Sequence, residues 1–434
     1  MAHPQPALIP TWRATAAAAL TAVLGLLLSV LGTSVGEAQA AATGLRVNNG
    51  RIYEANGNEF VMRGVNHAHA WYPDKTSSIA DIAAKKANTV RVVLSSGDRW
   101  SKTSASTVSS LISQCKANKV ICVLEVHDTT GYGEDSAAAT LDKAAGYWIG
   151  IKSVLAGQEN YVVVNIGNEP YGNNGYSAWT QATKNAIVKL RNAGINNMLM
   201  VDAPNWGQDW SHTMRDNAAS VFAADPDRNT VFSIHMYGVY DTATEVQAYL
   251  NHFVNNKLPI VVGEFGDMHS DGNPNEDAIM ATAQSLRVGY LGWSWSGNGS
   301  GVEYLDLVSN FNAGSLTSWG QRLFNGANGI ASTSSTAFIY GGGGSTGGGT
   351  APNGYPYCVN GSSSDPDGDG WGWENSRSCV VRGSSADTGS SSGGGTAPNG
   401  YPYCDNGSSS DPDGDGWGWE NSRSCVVRGS SADR

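Results

Sequence analysis

Residues 120–126 read VICVLEV, residues 141–155 read LDKAAGYWIGIKSVL, and residues 161–166 read YVVVNI. The two outer runs have the length of strands, are rich in Val and Ile, and show no polar alternation. That texture is typical of a parallel sheet that is covered on both faces. The middle stretch is amphipathic and predicts a helix that connects two parallel strands.

The same texture continues on both sides of this unit, over residues 43–330. Eight apolar runs predict strands: Phe60–Val65, Thr89–Leu94, Val120–Val126, Tyr161–Ile166, Met198–Val201, Val231–Ile234, Pro259–Val262 and Leu291–Trp295. Eight such repeats over this length predict an α/β fold, a (β/α)8 or TIM barrel. A doubly wound open sheet is the alternative, but no Gly-rich phosphate-binding fingerprint follows the first run.

The first forty residues are predicted to be a secretory signal. Arg13 precedes an apolar run from Ala14 to Val30, and Ala38-Gln39-Ala40 supplies the small residues that a signal peptidase requires. A membrane anchor is the alternative, but the run is short and no second one follows. We therefore expect a secreted, extracellular protein that begins near Ala41, has no membrane partner, and can form disulfides.

Composition narrows the class of partner. The net charge is −11 and charged residues make up 15 % of the chain, which argues against nucleic acid. The chain holds 14 Trp and 17 Tyr, whose flat faces suit the C–H faces of sugars, although aromatic residues also fill cores.

Two Gly/Ser-rich stretches, 341–349 and 384–395, predict flexible tethers. Residues 347–387 and 393–433 are identical apart from Val359, which corresponds to Asp405, so one unit is duplicated. The predicted organisation is a signal at 1–40, a barrel at 41–330, a linker at 331–350, a module at 351–387, a linker at 388–396 and a second module at 397–434.

Six cysteines form three candidate pairs. Cys358 with Cys379 and Cys404 with Cys425 have the same spacing in the two repeats, so we expect a bridge in each. Cys115 and Cys122 lie at a predicted helix end and on the next strand, and form either a third bridge or two buried thiols.

Ionisable or aromatic side chains accompany seven of the eight predicted strands, and strand ends of a barrel meet at one face. In strand order they are Asn66, His67, His69 and Trp71; Arg91; Glu125, His127 and Asp128; Asn168 and Glu169; His235 and Tyr237; Glu264; and Trp293 and Trp295. Each of these residues, taken alone, has an ordinary structural explanation; a Glu after a strand, for example, often caps the next helix. Two carboxylates across a barrel mouth are, however, what glycoside hydrolysis requires.

The set formed by Asn168-Glu169-Pro170, Glu264, Arg91, His127, His235, Tyr237 and a Trp of the last strand resembles glycoside hydrolase family 5 over residues 44–328. The resemblance implies a retaining barrel enzyme that needs no cofactor. It makes Glu169 the general acid/base and Glu264 the nucleophile, in preference to Glu125 and Asp128.

The same resemblance implies the supporting roles. Asn168 would bind the sugar 2-hydroxyl, Tyr237 would hydrogen-bond Glu264, and Arg91 would lower the pKa of Glu264. The remaining predicted substrate-binding residues are His67, Trp71, His127, His235, Trp293 and Trp295. The two Trp share one strand face, so both are expected to point the same way, with Trp293 the favoured stacking platform.

The stretches 63–72, 125–131 and 292–298 resemble the bacterial mannanase branch of the family. This implies an endo-β-1,4-mannanase that acts on mannan, glucomannan and galactomannan, with a cellulase of the same family as the alternative. Trp206 and Trp210, after the fifth strand, either stack on more distant sugars or pack under a loop.

Each repeat predicts a small β-rich module with a flat aromatic strip. The strip is made of Tyr355, Trp371 and Trp373 in the first copy and Tyr401, Trp417 and Trp419 in the second. One Trp could instead form the core of so small a unit. The repeats resemble carbohydrate-binding module family 10, which implies binding to insoluble cellulose, but that family generally has two disulfides where each copy here has one Cys pair. A sugar-binding protein without turnover and a scaffold that docks to protein are the competing functions, and we expect a monomer.

Asp365-Pro366-Asp367-Gly368-Asp369-Gly370 resembles the start of a calcium loop, although Ser376 stands at position twelve and Glu374 lies two residues earlier. A structural Ca²⁺ and a plain acidic turn remain open, and we assign no other metal site.

Overall fold

The computed structural model describes residues 44–299 and 301–341, and within the repeats 351, 353, 355–358, 364–365, 368–374, 377–381, 384–388, 397–399, 401–404, 407–411, 413–420 and 423–433. The predicted signal, residues 342–350 of the first predicted linker and residues 389–396 of the second lie outside the described residues.

A short hairpin precedes the barrel, with β1 at Arg46–Asn48 and β2 at Arg51–Tyr53. Eight parallel strands then form a closed barrel. They are β3 Arg63–His67, β4 Thr89–Leu94, β5 Ile121–Val126, β6 Val162–Asn165, β7 Met198–Asp202, β8 Thr230–Met236, β9 Ile260–Phe265 and β10 Gly289–Gly292. All eight predicted runs overlap a strand, and β10 pairs with β3 to close the ring, so the barrel is confirmed over the open sheet.

Helices connect the strands. They are α1 Ser78–Ala84, α2 Ala105–Ala117, α3 Leu141–Gly150, α4 Lys152–Leu155, α5 Trp179–Asn192, α6 Thr213–Ala224, α7 Ala243–Asn255, α8 Glu276–Leu286, α9 Ser318–Asn325 and α10 Ile330–Thr333. Side-chain caps begin several of them, and Thr242 with Glu245 forms a capping box at α7. On α5 the buried residues Thr183, Ala186, Ile187 and Leu190 follow helical spacing. None of the helices in the described ranges is both long and apolar enough to cross a membrane.

Strand alternation divides the barrel interior into an apolar lower part and a polar upper part. Ile121, Val123, Val163, Met200 and Val231 belong to one buried apolar cluster inside the ring. The next inward positions toward the strand ends are polar, namely Glu125, Asn165, Asp202, Ser233 and His235. The polar layer is therefore a continuation of the apolar strands by one or two further residues.

Glu264 joins this layer through an irregularity. The register between β8 and β9 shifts at Ile234/His235, so that His235 pairs with Glu264. Gly263 allows β9 to lie close to the Ser233 side chain of β8, because a Cβ at Gly263 would lie 2.1 Å from Ser233 Oγ.

The barrel domain extends beyond the predicted boundary at residue 330. The backbone nitrogens of Phe338 and Ile339 donate to the Glu54 carboxylate at 2.9 Å each. The Tyr340 hydroxyl donates to the Val120 carbonyl at 2.9 Å. Residues 331–341, predicted as linker, therefore pack against the barrel, because their apolar and hydrogen-bonding groups find partners there.

Each repeat contains a two-stranded antiparallel hairpin, confirming small β-rich modules. The strands are β11 Trp371–Glu374 with β12 Arg377–Val380, and β13 Trp417–Glu420 with β14 Arg423–Val426. Disulfides join Cys358 to Cys379 and Cys404 to Cys425, and the third pair, Cys115 with Cys122, is also bridged.

Candidate active site

Arg91 organises the polar layer at the strand ends. Its guanidinium is wholly buried and uses all five N–H donors. It donates to Asn165 from Nε at 2.8 Å, to Asn66 and Glu264 from Nη1 at 2.9 and 2.7 Å, and to Asn168 and Asp202 from Nη2 at 2.7 and 2.9 Å. Because no surface of Arg91 is accessible, it acts on a substrate through the groups it holds.

Glu264 lies above Arg91 and is 4 % exposed. Its Oε2 accepts a hydrogen bond from the Tyr237 hydroxyl at 3.0 Å, as the family resemblance implies. Burial raises the pKa of Glu264, and the opposing charges of His235 and Arg91 do not fully offset this. The prediction that Arg91 lowers this pKa is correct for the contribution of Arg91, but the net direction is upward because desolvation of the carboxylate is larger.

Glu169 follows β6 with a left-handed φ of 39° and is 9 % exposed. His235 Nδ1 lies 2.7 Å from its Oε1. Burial disfavours the imidazolium, but the nearby carboxylates of Glu264 and Asp202 raise the pKa of His235 to about 10. One carboxylate oxygen of Glu169 and one of Glu264 lie within 4.8 Å of each other.

Glu169, His235 and Glu264 are close enough to share a metal ion. Their polar atoms already have partners, since His235 bonds Glu169 while Arg91 and Tyr237 bond Glu264. His235 Nδ1 also lies 3.5 Å from Glu264 Oε2, so the two carboxylates are held close together on either side of one histidine.

Asp202 is a buried member of the layer that sequence analysis did not single out. Its Oδ1 accepts from Asn165 at 3.0 Å, and its Oδ2 lies 2.9 Å from Arg91 and 3.4 Å from His235 Nε2. Burial acts to raise its pKa, but Arg91 and His235 lower it to about 2. The predicted fifth strand ended at Val201; extending the alternation from Met200 by one step would have placed Asp202 inside.

Aromatic side chains surround His127 at the mouth. Trp293 stacks against it with ring centroids 5.7 Å apart, and Trp71 meets it edge-on at 5.0 Å. Trp100, which was not predicted, lies 5.7 Å from the same ring. His127 Nδ1 lies 2.8 Å from Glu125 Oε1. Burial acts to lower the pKa of His127, but the Glu125 carboxylate raises it above the ordinary value.

Trp295 and His67 are predicted substrate-binding residues that, like Arg91 and His235, are almost completely buried. Trp295 is wholly buried and packs against Phe324, so the expectation that it points the same way as Trp293 is wrong. The reason is that β10 ends at Gly292, and strand alternation does not extend beyond it. His67 is 1 % exposed, and burial lowers its pKa to about 3, so it is a neutral residue beneath the surface.

The module hairpins present their aromatic side chains to solvent. Trp373 is 68 % and Tyr355 47 % exposed, with the same values for Trp419 and Tyr401 in the second copy. Trp371 is less exposed and meets Tyr355 edge-on at 4.8 Å, as Trp417 meets Tyr401. A Cβ on Gly372 would lie 2.6 Å from Cys358 Sγ, so the strand turns its glycine toward the disulfide and its tryptophans away. The aromatic strip is thus exposed, with Trp371 also contributing to the small core.

The acidic loop of each module is closed by its own backbone. Asp365 Oδ1 accepts from the nitrogens of Gly368 and Asp369, and Oδ2 accepts from Gly370. Asp411 makes the equivalent contacts, and carboxylate oxygens of Asp411, Asp413 and Asp415 lie within 4.8 Å of one another. That spacing fits a calcium ion as well as a plain acidic turn.

An eight-stranded barrel that carries two close glutamates at the ends of β6 and β9, above an arginine-centred polar layer, is the architecture of a glycoside hydrolase. Residues 53–299 match the cellulase family, glycosyl hydrolase family 5, and residues 348–381 and 394–427 each match a cellulose or protein binding domain. The chain belongs to glycosyl hydrolase family 5.

Relatives cover both parts of the chain. A mannan endo-1,4-β-mannosidase from Streptomyces lividans is 75 % identical over 86 % of this chain and 97 % of its own length. One from Cellvibrio japonicus (strain Ueda107) is 54 % identical over 86 % of this chain and 85 % of its own. Among solved structures, the mannohexaose complex of Thermomonospora fusca β-mannanase is 61 % identical with a TM-score of 0.67, covering 69 % of this chain and all of that one.

Proposed function

We propose that this protein is a secreted retaining endo-β-1,4-mannanase, with Glu169 as general acid/base and Glu264 as nucleophile. The observation that carries the mechanism is the pair of carboxylate oxygens within 4.8 Å of each other, with Arg91 and Tyr237 bonded to Glu264 and His235 bonded to Glu169. Carboxyl groups about 5–5.5 Å apart are typical of retaining glycosidases, because no water fits between nucleophile and sugar.

In the first step Glu264 attacks the anomeric carbon and the glycosidic C–O bond breaks, while Glu169 gives its proton to the departing oxygen. Hydrogen bonds from Arg91 and Tyr237 hold Glu264 as an ionised, aimed nucleophile. In the second step Glu169 takes a proton from water, which attacks the same carbon and releases Glu264. Asn168, held by Arg91 at 2.7 Å, is positioned to bind the sugar 2-hydroxyl.

The substrate assignment is supported by the mannan endo-1,4-β-mannosidases, which match 86 % of this chain. We propose mannan, glucomannan and galactomannan as substrates. An endo-β-1,4-glucanase is the second candidate, because the matching family is described as cellulase.

We propose that the two modules anchor the enzyme to insoluble cellulose through the exposed aromatic residues of each hairpin. Docking to a protein is the competing role, since the matching family is described as binding either. Secretion, a monomeric state and a structural Ca²⁺ stay predictions.

The test is reducing-end release by the mature protein from ivory-nut mannan and, in parallel, from carboxymethyl-cellulose. We expect preferential release from mannan, with the β-configuration kept in the first-formed product. Preferential release from carboxymethyl-cellulose would replace the mannanase assignment by the glucanase one. An inverted product would refute the assignment of Glu264 as nucleophile.

A further inference from the structure

His269 lies on the loop between β9 and α8, and the chemistry above gives it no role. Its imidazole stacks on the ring of Tyr237, with the ring centroids 4.4 Å apart and the two planes 29° from parallel. The side chain of His269 is 25 % exposed, whereas Tyr237 is 5 % exposed. His269 therefore covers one face of the Tyr237 ring from the β9–α8 loop.

Tyr237 connects this stack to the reacting groups. Its hydroxyl donates to Glu264 Oε2, while Arg91 donates to the other oxygen of the same carboxylate. Both hydrogen bonds favour the ionised form of Glu264. The orientation of the Tyr237 ring sets where its hydroxyl points, so a contact that fixes the ring also fixes the hydrogen bond to Glu264.

Asp271 fixes His269 in turn. Its Oδ1 is in hydrogen-bonding contact with Nδ1 of His269 and accepts from the Gly238 nitrogen at 3.2 Å. A Cβ on Gly238 would lie 2.6 Å from the same Oδ1, so this close approach requires glycine. Gly238 directly follows Tyr237 in sequence, and Asp271 therefore links the histidine to the segment that carries the tyrosine.

Gln208 adds the loop after β7 to the same network. Its Nε2 donates to Asp271 Oδ2 at 2.7 Å, and its Oε1 accepts from the Val239 nitrogen at 3.1 Å. The hydroxyl of Tyr240 donates to the Gln208 carbonyl at 3.0 Å, and the Asn275 nitrogen donates to the Tyr240 carbonyl at 2.9 Å. The loops after β7, β8 and β9 thus form one hydrogen-bonded unit around the stack.

We propose that His269, held by Asp271, is a positioning residue for Tyr237 and, through it, for the nucleophile. The proposal rests on the proposed function, in which Glu264 attacks the sugar as a carboxylate. Without the stack the Tyr237 ring gains freedom, and its hydrogen bond to Glu264 weakens. A carboxylate that loses a donor is harder to ionise, so less of the enzyme carries a reactive Glu264 at low pH.

The experiment measures kcat/KM against pH for the mature protein on mannotetraose and on dinitrophenyl β-mannobioside. Dinitrophenolate leaves without a proton and places no sugar on the leaving-group side, so its release requires Glu264 but not Glu169. We expect His269→Ala to lower kcat/KM about two- to tenfold on both substrates and to move the acid limb to higher pH. His269→Phe keeps a flat ring over Tyr237 and is expected to recover most of the loss.

A double-mutant cycle with Tyr237→Phe identifies the route of the effect. Tyr237→Phe removes the hydroxyl and is expected to cost about tenfold or more, because the bond is made to a charged group. His269→Ala should add no further loss in that background, since the hydrogen bond that it supports is already absent. All four proteins keep the other charged groups that face Glu264, namely Arg91, His127, Glu169 and His235.

Two variants of the same loop separate positioning from a general loss of structure. Asp271→Ala releases His269 and is expected to give a smaller loss on both substrates, with the acid limb again moved to higher pH. Ser270→Ala changes the exposed side chain between them and is expected to leave kcat/KM within about twofold of the parent.

Losses that add in the cycle would overturn the proposal, because His269 would then act independently of Tyr237. A loss confined to mannotetraose would overturn it as well, since His269 would then contact the departing sugar. Unchanged kinetics and an unchanged acid limb for His269→Ala would do the same. If that variant fails to fold, as judged by its thermal unfolding midpoint, Asp271→Ala takes its place in the cycle.

Failure of the proposed function has a different signature. Activity retained by Glu264→Gln would refute the nucleophile itself, whatever the cycle shows. If the parent enzyme prefers β-1,4-glucans, the mannanase assignment fails, and the same cycle on dinitrophenyl β-cellobioside still tests His269.

Discussion

The cleft of the barrel and the aromatic faces of the modules are built in opposite ways. The cleft brings Arg91, Asp202 and Glu264 into contact across 173 positions of sequence, and its decisive side chains are buried. The two tryptophans of each module face come from one four-residue strand, and the more exposed of them, Trp373 or Trp419, is 68 % exposed. Catalysis needs side chains whose charge and orientation are set by burial and by their neighbours. Adsorption to a flat surface needs only accessible aromatic rings.

The largest expected effect is the loss of activity on mannan when the nucleophile in the cleft is changed. Glu264→Gln keeps the shape of the nucleophile and removes its charge, so we expect kcat on mannan to fall by roughly 10⁴-fold or more. Retention on insoluble cellulose should equal that of the parent, because the modules are untouched. Measurable turnover above about a hundredth of the parent rate would show that another group attacks the sugar.

Variants of the modules should lose cellulose binding and keep activity. Trp373→Ala together with Trp419→Ala should weaken binding to insoluble cellulose by about 10²-fold or more, since linked modules bind jointly, and each single variant should cost less. The rate on soluble mannan should not change, which depletion assays and reducing-end release can measure in one preparation. Full cellulose binding by the double variant would favour a protein partner for this face.

Arg91 tests whether the buried layer sets the charge of Glu264. Arg91→Met removes the cation, and we expect it to cost about 3–5 kcal/mol of stability because several carboxylates lose their partner. Its loss raises the pKa of Glu264 further, and activity requires the ionised form. Burial already raises the pKa of Glu264 in the parent, so the acid limb of kcat/KM in the variant should move to higher pH than that of the parent.

Arg91→Lys is the matched control, because it keeps the charge and loses the five-donor fork. The acid limb of its kcat/KM profile should lie at a lower pH than that of Arg91→Met. Coincident pH profiles for the two variants would mean that Arg91 matters through shape and not through charge.

The smallest effect concerns the acidic loops of the modules. Calcium present at ten times its dissociation constant would stabilise a module by about 1.4 kcal/mol. A chelator should then lower the unfolding midpoint of the modules and leave that of the barrel unchanged, and Asp413→Asn should reduce the response of the second module. Identical midpoints with and without chelator would identify a plain acidic turn.

Much of the molecule followed from sequence. Runs such as Thr89–Leu94 predicted the strands because a strand buried on both faces must be apolar throughout, and that requirement is local. The extended strand that carries the tryptophans of each module followed from the same kind of local pattern, since Gly372 lies between two tryptophans that share a face. The contact of Tyr237 with Glu264 also agrees with the prediction.

Only the tertiary structure decided the rest. Trp293 and Trp295 are two residues apart, yet one lines the cleft and the other is buried, because the strand that would align them ends at Gly292. Asp202 is an unremarked acid in the sequence and becomes a partner of Arg91 only when the ring closes. The net pKa direction of Glu264 depends on how much water the fold removes, which no local pattern encodes. Sequence determined which elements form, because that depends on neighbouring residues; the fold decided which side chains meet and how charged they are, because that depends on distance and burial.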